Sequence, residues 1–599
     1  MITDRTNLIP LVFSSWFNDP EIRKAAALVS KKLEEGNICY NINDPGISGD
    51  DKIDIRVLES SEFVTTDPVN NIQPMVLHSG KLYLHRYFSY ETIIIEKIRK
   101  LLESGNNQKT EMHQTLLNNR EIIEKFLSFK PKNSEDQAKY IPWQKIAAIS
   151  SFISNFHIIT GGPGTGKTSA VAAFIMLYLS IFPWKSIALA APTGKAAARM
   201  NESISSAVAS FHDLDTELKA SIGKIEARTI HRLLEFQNDS VDFKRNNKNL
   251  LQYDLIIIDE SSMIDAPLMA KLLDAVCDES KLIMIGDRHQ LSPIGAGSIF
   301  GDLCKINDST NCFENSDIQF LNSFITTDEL KIPVENTSGA SPKFSSFVTE
   351  LKHVFRFSSE NQIFKFSNRL MSENSPDEKF ILKFKGDHTD DLNIIDNIDN
   401  TLFCEFLKYY EEYASEPDIA IALEKLSQIR ILCAVREGEK GVFHFNDLIE
   451  KHLKNSGLLA PSYGFYDKQP VIITTNDYNL RLFNGDTGVI RMDHEKKRYF
   501  AFFIDSEGEL RQIPAMSLPS HETVFAMTIH KSQGSEFRNV ILILPDDDTY
   551  GMLTRELLYT GITRAKHKVL IISSDEMLIN AGKRSVNRIS GIGDRLMNN

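Results

Sequence analysis

Short, mostly apolar runs recur along most of this chain and alternate with longer helical stretches. Phe156-His157-Ile158-Ile159-Thr160 reads as a buried parallel strand. Ser169 to Phe182, mostly Ala, Val, Leu and Ile and closed by Pro183, reads as a buried helix. Ser186 to Ala191, Leu255 to Ile258 and Leu282 to Ile285 are further apolar runs. From about 111 to 340 such strands alternate with helices, the pattern of a doubly wound α/β domain. A polar, irregular stretch from Asp302 to Phe344 reads as an interdomain crossing with an inserted loop. A second α/β region opens near Leu351 and resumes after 515, with strands at Val540 to Leu544 and Val569 to Ser573. Between its halves, residues 456–515 carry short β-rich runs (Val471 to Thr475, Thr487 to Met492, Tyr499 to Ile504, Leu510 to Ile513). Turns at Asn484-Gly485 and Glu507-Gly508 make this an inserted small barrel. At the N-terminal end, Glu21 to Glu35 reads as an amphipathic helix and Pro74 to Leu84 as a hairpin turning at Ser79-Gly80. A helix from Glu91 to Leu102 leads into polar Ser104 to Thr110, read as a linker.

The expected units are therefore 1–110, 111–340, 341–455, an insert at 456–515, and 516–599. Composition changes this picture little. At 599 residues the chain has core enough for several domains, with ordinary apolar and charged fractions. The N-terminal MITDRTNLIPLVFSSWF lacks a basic segment followed by an apolar one, so no signal peptide is expected. Thr168 to Trp184 is too short and too rich in Ala and Ser for a membrane span, so no membrane partner is expected and the cytoplasm is the expected compartment. Six cysteines lie far apart without a C-x₂-C pair, which argues against zinc, iron–sulfur and disulfide frameworks. A net charge of −13 counts weakly against DNA, because a binding channel needs only local cations.

The chemistry gathers at the exits of the predicted strands. Gly161-Gly162-Pro163-Gly164-Thr165-Gly166-Lys167-Thr168 follows one strand and opens a helix, the context of a phosphate-binding loop. Its backbone N–H groups turn toward phosphates, Lys167 adds a point charge, and Thr168 offers a hydroxyl to Mg²⁺. ATP and Mg²⁺ are the expected cofactors. Asp259 and Glu260 end an all-aliphatic strand; Asp259 suits Mg²⁺ and Glu260 the attacking water. Gln144 either reads adenine through its amide or is a polar helix cap. Gln290, after Gly286-Asp287, either senses the terminal phosphate or sits on a solvated loop. Arg356 and Arg564 are candidates for an arginine finger across a domain cleft, against the plainer reading of surface ion pairs. Pro192-Thr193-Gly194-Lys195 forms a second loop of small residues at a strand end, suited to polynucleotide phosphates or simply to a connection. Asp546-Asp547-Asp548 reads as a solvated loop.

Taken in order, GGPGTGKT, APTGKAAA, IIIDESSM, GDRHQL, FRF, TIHKSQGSEF and YTGITRAK resemble the motifs of superfamily 1 helicases, over about 440 residues from Trp143 to about Arg584. GFYDKQPVIITTNDYNLRLFNGDTGVI is similar to the barrel insert of the RecD branch. PMVLHSGKLYLHRYFSYE resembles the end of the N-terminal domain in the exonuclease V members of that branch. The resemblance implies two RecA-like P-loop domains, an inserted SH3-like β-barrel and an N-terminal α+β docking domain. It implies an ATP-dependent motor travelling 5′ to 3′ on single-stranded and duplex-end DNA, in a heterotrimer with RecB-like and RecC-like subunits. Gly534 joins Gln290, Arg356 and Arg564 on the far side of the ATP. Thr193, Lys195, His231, Thr528 and His530 are the implied DNA contacts. The competing readings are a regulatory or scaffold ATPase subunit and a stand-alone RecD-like helicase. The intact Lys167, Asp259-Glu260 and Arg564 favour a working motor over the regulatory reading, and the longer N-terminal region of stand-alone relatives counts against the other. A nuclease site is expected on another chain.

Overall fold

The computed structural model describes residues 8–47, 49–129, 140–211, 213–237, 240, 242–306, 310–325, 330–333, 347–355, 361–372, 376–385, 391–398, 401–460, 464–477, 479–505, 508–548 and 551–597. Near the N-terminus, the helix Pro20–Glu34 starts where the Asp19 carboxylate accepts the backbone N–H groups of Glu21 and Ile22. It packs on a four-stranded sheet of β1 (Cys39–Asn41), β2 (Val64–Thr65), β3 (Met75–His78) and β4 (Lys81–Leu84), ordered β1-β4-β3-β2. The β3–β4 hairpin turns at Ser79-Gly80, with φ of 50° and 73°, the left-handed pair that a two-residue hairpin needs.

The expected linker at 104–110 is instead the middle of one helix, His85–Asn118. Its polar residues mark a solvent face, and Gly105 on the opposite face is buried. A β-carbon at Gly105 would lie 2.6 Å from the backbone nitrogen of Asn155, so glycine serves a close approach there.

That helix packs on the first parallel sheet, formed by β5 (Phe156–Thr160), β6 (Ile187–Ala191), β7 (Ala227–Thr229), β8 (Leu255–Ile258), β9 (Lys281–Gly286) and β10 (Val348–Glu350). The order is β10-β5-β9-β8-β6-β7 and every pairing is parallel. The helices Trp143–Ile153, Lys167–Ile181 and Gly194–Ser210 cover the other face. Burial on both faces explains the unbroken apolar runs. β10 lies past the expected border at 340 yet belongs to this sheet.

A second parallel sheet has the order β11-β20-β19-β12-β18, from β11 (Leu392–Ile395), β12 (Ile429–Cys433), β18 (Ala526–Thr528), β19 (Phe537–Ile543) and β20 (Ala565–Ile572). The insert is a five-stranded antiparallel sheet ordered β16-β15-β14-β13-β17. Its strands are β13 (Gln469–Ile473), β14 (Thr487–Asp493), β15 (Arg498–Ile504), β16 (Leu510–Pro514) and β17 (His521–Thr523), the last lying beyond the expected end at 515. Among the described residues, no helix is long and apolar enough to cross a membrane.

After β20 the chain returns to the helix His85–Asn118. Gly591 donates its N–H to Glu91 Oε1 (2.8 Å), and Arg595 pairs with Glu91 Oε2 (3.2 Å) while lying 4.0 Å over the Phe88 ring. Glu91 is fully buried, and burial raises its pKa, with the Gly591 N–H and Arg595 opposing. A raised carboxyl pKa favours the folded state at low pH, and that contribution falls as pH rises through the shifted value. Removing Arg595 takes the paired cation from a buried carboxylate and leaves it the Gly591 N–H. Arg595→Ala is expected to cost about 3 kcal/mol near neutral pH, with the deficit shrinking as pH falls and Glu91 takes up a proton. Urea melts at several pH values read this; a deficit independent of pH would assign the effect to packing on Phe88.

Candidate active site in the interdomain cleft

β5 delivers the glycine loop to the C-terminal end of the first sheet's strands, where Gly161 N–H is tied to the Gly286 carbonyl of β9 (3.2 Å). Gly164 and Gly166 adopt φ of 77° and 81°, and the helix starts at Lys167. The Lys167 ammonium donates to the carbonyls of Gly161 (2.5 Å) and Gly162 (3.1 Å), so it is held across the cradle of the loop. Thr165 Oγ1 closes the turn on the Gly162 carbonyl (2.8 Å), and Phe355 donates its backbone N–H to Gly164 (2.8 Å).

Gln144 is bonded to the phosphate loop. It is fully buried; Tyr140 donates to its Oε1 (2.7 Å) and its Nε2 donates to the Thr165 carbonyl (2.8 Å). Both ends of the amide are engaged, so Gln144 braces the phosphate loop from behind.

The loop opens on a cavity of about 450 Å³ lined from both parallel-sheet units. From the first come Lys167, Thr168, Asp259, Glu260, Gln290 and Arg199; from the second come Arg564 and Glu536. Asp259 follows β8 and accepts the Glu260 N–H (2.8 Å). Burial first, and the Glu260 charge second, push its carboxyl up to about 6. Glu260 stands at φ 49°, ψ 39°, a left-handed conformation that costs a non-glycine residue of order 1 kcal/mol. Gln290 donates to Asp287 Oδ2 (3.3 Å), while its own Oε1 is buried without a partner among the described residues. The same Asp287 oxygen accepts the Tyr559 hydroxyl (3.0 Å), and Leu291 N–H donates to Thr560 (3.0 Å). The exit of β9 is thereby bonded to the helix Arg555–Ile562 of the other unit.

Arg564 is 3% exposed and fixed by the carbonyls of Thr560 and Ser535, each at 3.2 Å. Burial lowers its pKa, with the charges of Glu260 and Glu536 opposing. Arg356 lies outside the described residues. Sequence reasoning missed Arg199, Glu536, Asp287, Tyr559 and Phe355. The only available signal was that all five stand inside or beside the quoted motifs; Arg199 follows Lys195 by one helical turn.

The other predicted residues divide. Gly534, at φ 72°, does not line the cavity; a β-carbon on it would lie 3.8 Å from Thr193 Oγ1, so these two motifs meet across the cleft. Thr193 caps its helix through the Ala196 N–H (3.2 Å), and Thr528 accepts the Lys531 N–H (3.3 Å). The Lys195 ammonium is pushed down to about 8, by burial first and Arg430 second, with Asp486 of the insert opposing. His231 packs edge-on against Phe243 (5.6 Å) and Phe236 (6.3 Å), and burial lowers its pKa. Burial also lowers that of His530.

Family models match the two halves of this site: an AAA domain over residues 144–296 and a UvrD-like helicase C-terminal domain over 523–572. The RecBCD enzyme subunit RecD of Haemophilus influenzae is 31% identical over 562 residues, 89% of this chain and 82% of its own length. The chain belongs to the RecD family. The RecD subunit of Buchnera aphidicola subsp. Schizaphis graminum is 32% identical over 87% of this chain and 85% of its own. The ATP-dependent RecD2 DNA helicase of Deinococcus radiodurans is 26% identical over 69% of this chain and 46% of its own. A solved Pif1 helicase from Candida albicans covers 73% of this chain and 95% of its own at 14% identity and a TM-score of 0.36, too loose a likeness to carry residue roles. As a RecD-type chain the protein is a DNA helicase that uses ATP.

Proposed function

We propose that the cleft is the motor's ATP site and that its opening and closing drive this RecD-family chain 5′ to 3′ along single-stranded DNA. The observation that carries the reading is the cavity itself. Phosphate loop and acidic pair face Arg564 across one space, so a nucleotide there bridges both units and biases their separation. Lys167 and the loop N–H groups hold the phosphates. Glu260 accepts a proton from the attacking water, Gln290 orients that water through its unpartnered Oε1, and Arg564 neutralises charge on the terminal phosphate. Gln144 supports the loop, and Gly534 transmits closure to Thr193.

The residues fit Mg²⁺. Thr168 and Asp259 line the same cavity, and Asp259 is crowded by the like charge of Glu260, a strain that a cation relieves. Mg²⁺ takes few protein ligands and keeps nucleotide and water oxygens for the rest, which one hydroxyl and one carboxylate allow. When bound, Mg²⁺ supplies charge neutralisation at the phosphates.

In this reading Thr193, Lys195, Thr528 and His530 contact the DNA backbone, while His231 shapes the path from its aromatic pocket. The five-stranded insert is an SH3-like barrel over that path, and residues 1–110 dock on a RecC-like subunit in a heterotrimer with a RecB-like one at duplex ends. The decisive experiment gives the full chain, alone and with those partners, forked duplexes bearing a 5′ or a 3′ single-stranded tail. ATP hydrolysis stimulated by single-stranded DNA, with unwinding from the 5′ tail only, is expected. Unwinding from the 3′ tail overturns the polarity, and hydrolysis indifferent to DNA in both preparations overturns the motor.

A further inference from the structure

Arg199 stands on the helix Gly194–Ser210, in the wall of the cavity that also holds Asp259 and Glu260. Its Nη2 lies 2.6 Å from Glu536 Oε1, an ion pair that crosses from one parallel-sheet unit to the other. The second oxygen of Glu536 lies 3.4 Å from Lys566 Nζ. Both line the cavity; the Glu536 side chain is 10% exposed, that of Arg199 38%. The carboxylate therefore has a second cation and is fixed in place, while the guanidinium has room to move.

A guanidinium beside a phosphate-binding space has two acceptors to choose between. It binds a carboxylate or a phosphate oxygen with the same fork, and a terminal phosphate carries more charge than a carboxylate. We propose that Arg199 is a second cation for the terminal phosphate of ATP, and that Glu536 is the partner it leaves when that phosphate arrives and regains when the phosphate is lost. Glu536 keeps Lys566 throughout. The exchange sits beside the meeting of Thr193 and Gly534, so making and breaking the pair couples the presence of the terminal phosphate to the contact between the two units. This rests on the cavity being the nucleotide site.

The test is equilibrium binding of fluorescent (mant) AMP-PNP and mant-ADP, with Mg²⁺, to the full chain. Arg199→Ala is expected to weaken mant-AMP-PNP about 10-fold and mant-ADP less than about 2-fold, because only the terminal phosphate loses a charge-assisted contact. Glu536→Gln is expected to tighten mant-AMP-PNP roughly 3-fold with mant-ADP unchanged, because Arg199 no longer has to leave a carboxylate. The double variant is expected to match Arg199→Ala. Arg199→Lys keeps the charge and is expected to retain part of the preference for the triphosphate analogue. If each single variant shifts the two probes by equal factors, or if Glu536→Gln weakens mant-AMP-PNP as Arg199→Ala does, the pair is only a structural bridge and the proposal fails. Lys167→Gln separates the two levels: if it leaves both probes bound as tightly as before, the cavity is not the nucleotide site at all.

Discussion

Arg564→Ala is expected to lower ATP turnover by roughly 10³-fold or more while changing nucleotide affinity far less. The guanidinium is withdrawn from water and fixed on two backbone carbonyls, at 3.2 Å each, with the helix Arg555–Ile562 behind it. Its charge in that dry wall is worth much more than a surface charge, and its position needs no reorganisation when phosphate charge develops. It also comes from the unit opposite the phosphate loop, so in the proposed motor it acts only when the two units close. Lysine at this position cannot reach both carbonyls and the phosphate together, and Arg564→Lys is expected to rescue little. Steady-state hydrolysis with saturating single-stranded DNA, set beside nucleotide binding, reads the effect. A loss below about 10-fold would mark Arg564 as structural.

Lys167→Gln is expected to abolish DNA-stimulated hydrolysis, by roughly 10³-fold, and unwinding with it. The ammonium is held by Gly161 and Gly162 within the curve of the loop, which places a full positive charge where phosphate oxygens gather. Glutamine keeps a hydrogen-bond donor to those carbonyls, so the loop is expected to keep its shape and melting temperatures to stay close to the parent's. The loss is then electrostatic. The control is the partner-bound chain. If the variant still hydrolyses ATP there at near the parent rate, the turnover belongs to another subunit and the loop has some other task.

The apolar runs that gave the strands away are legible because both sheets are covered on both faces, so burial leaves no alternation to misread. The phosphate loop and the acid pair are legible for a related reason: each is a contiguous stretch whose chemistry is set by its neighbours in the chain. The hairpin at Ser79-Gly80 is legible because two left-handed residues admit few alternatives. Other features depended on contacts distant in sequence. The polar stretch 104–110 continues a helix because Gly105 meets Asn155, about fifty positions away. Gln144 braces a loop because Tyr140 and the Thr165 carbonyl occupy its amide. The pairs Arg199–Glu536 and Asp287–Tyr559 join residues hundreds of positions apart, and the clasp of Glu91 by Gly591 and Arg595 joins residues about five hundred apart.

The sequence by itself therefore determined the parallel-sheet architecture, the phosphate loop, the paired carboxylates and the family, all of which follow from local pattern and motif order. The tertiary structure alone decided which cations face those carboxylates across the cleft, and which charged groups are neutralised by distant partners. A strand pattern records burial, which each residue experiences singly. An ion pair across a cleft records a relation between two residues that no local composition encodes.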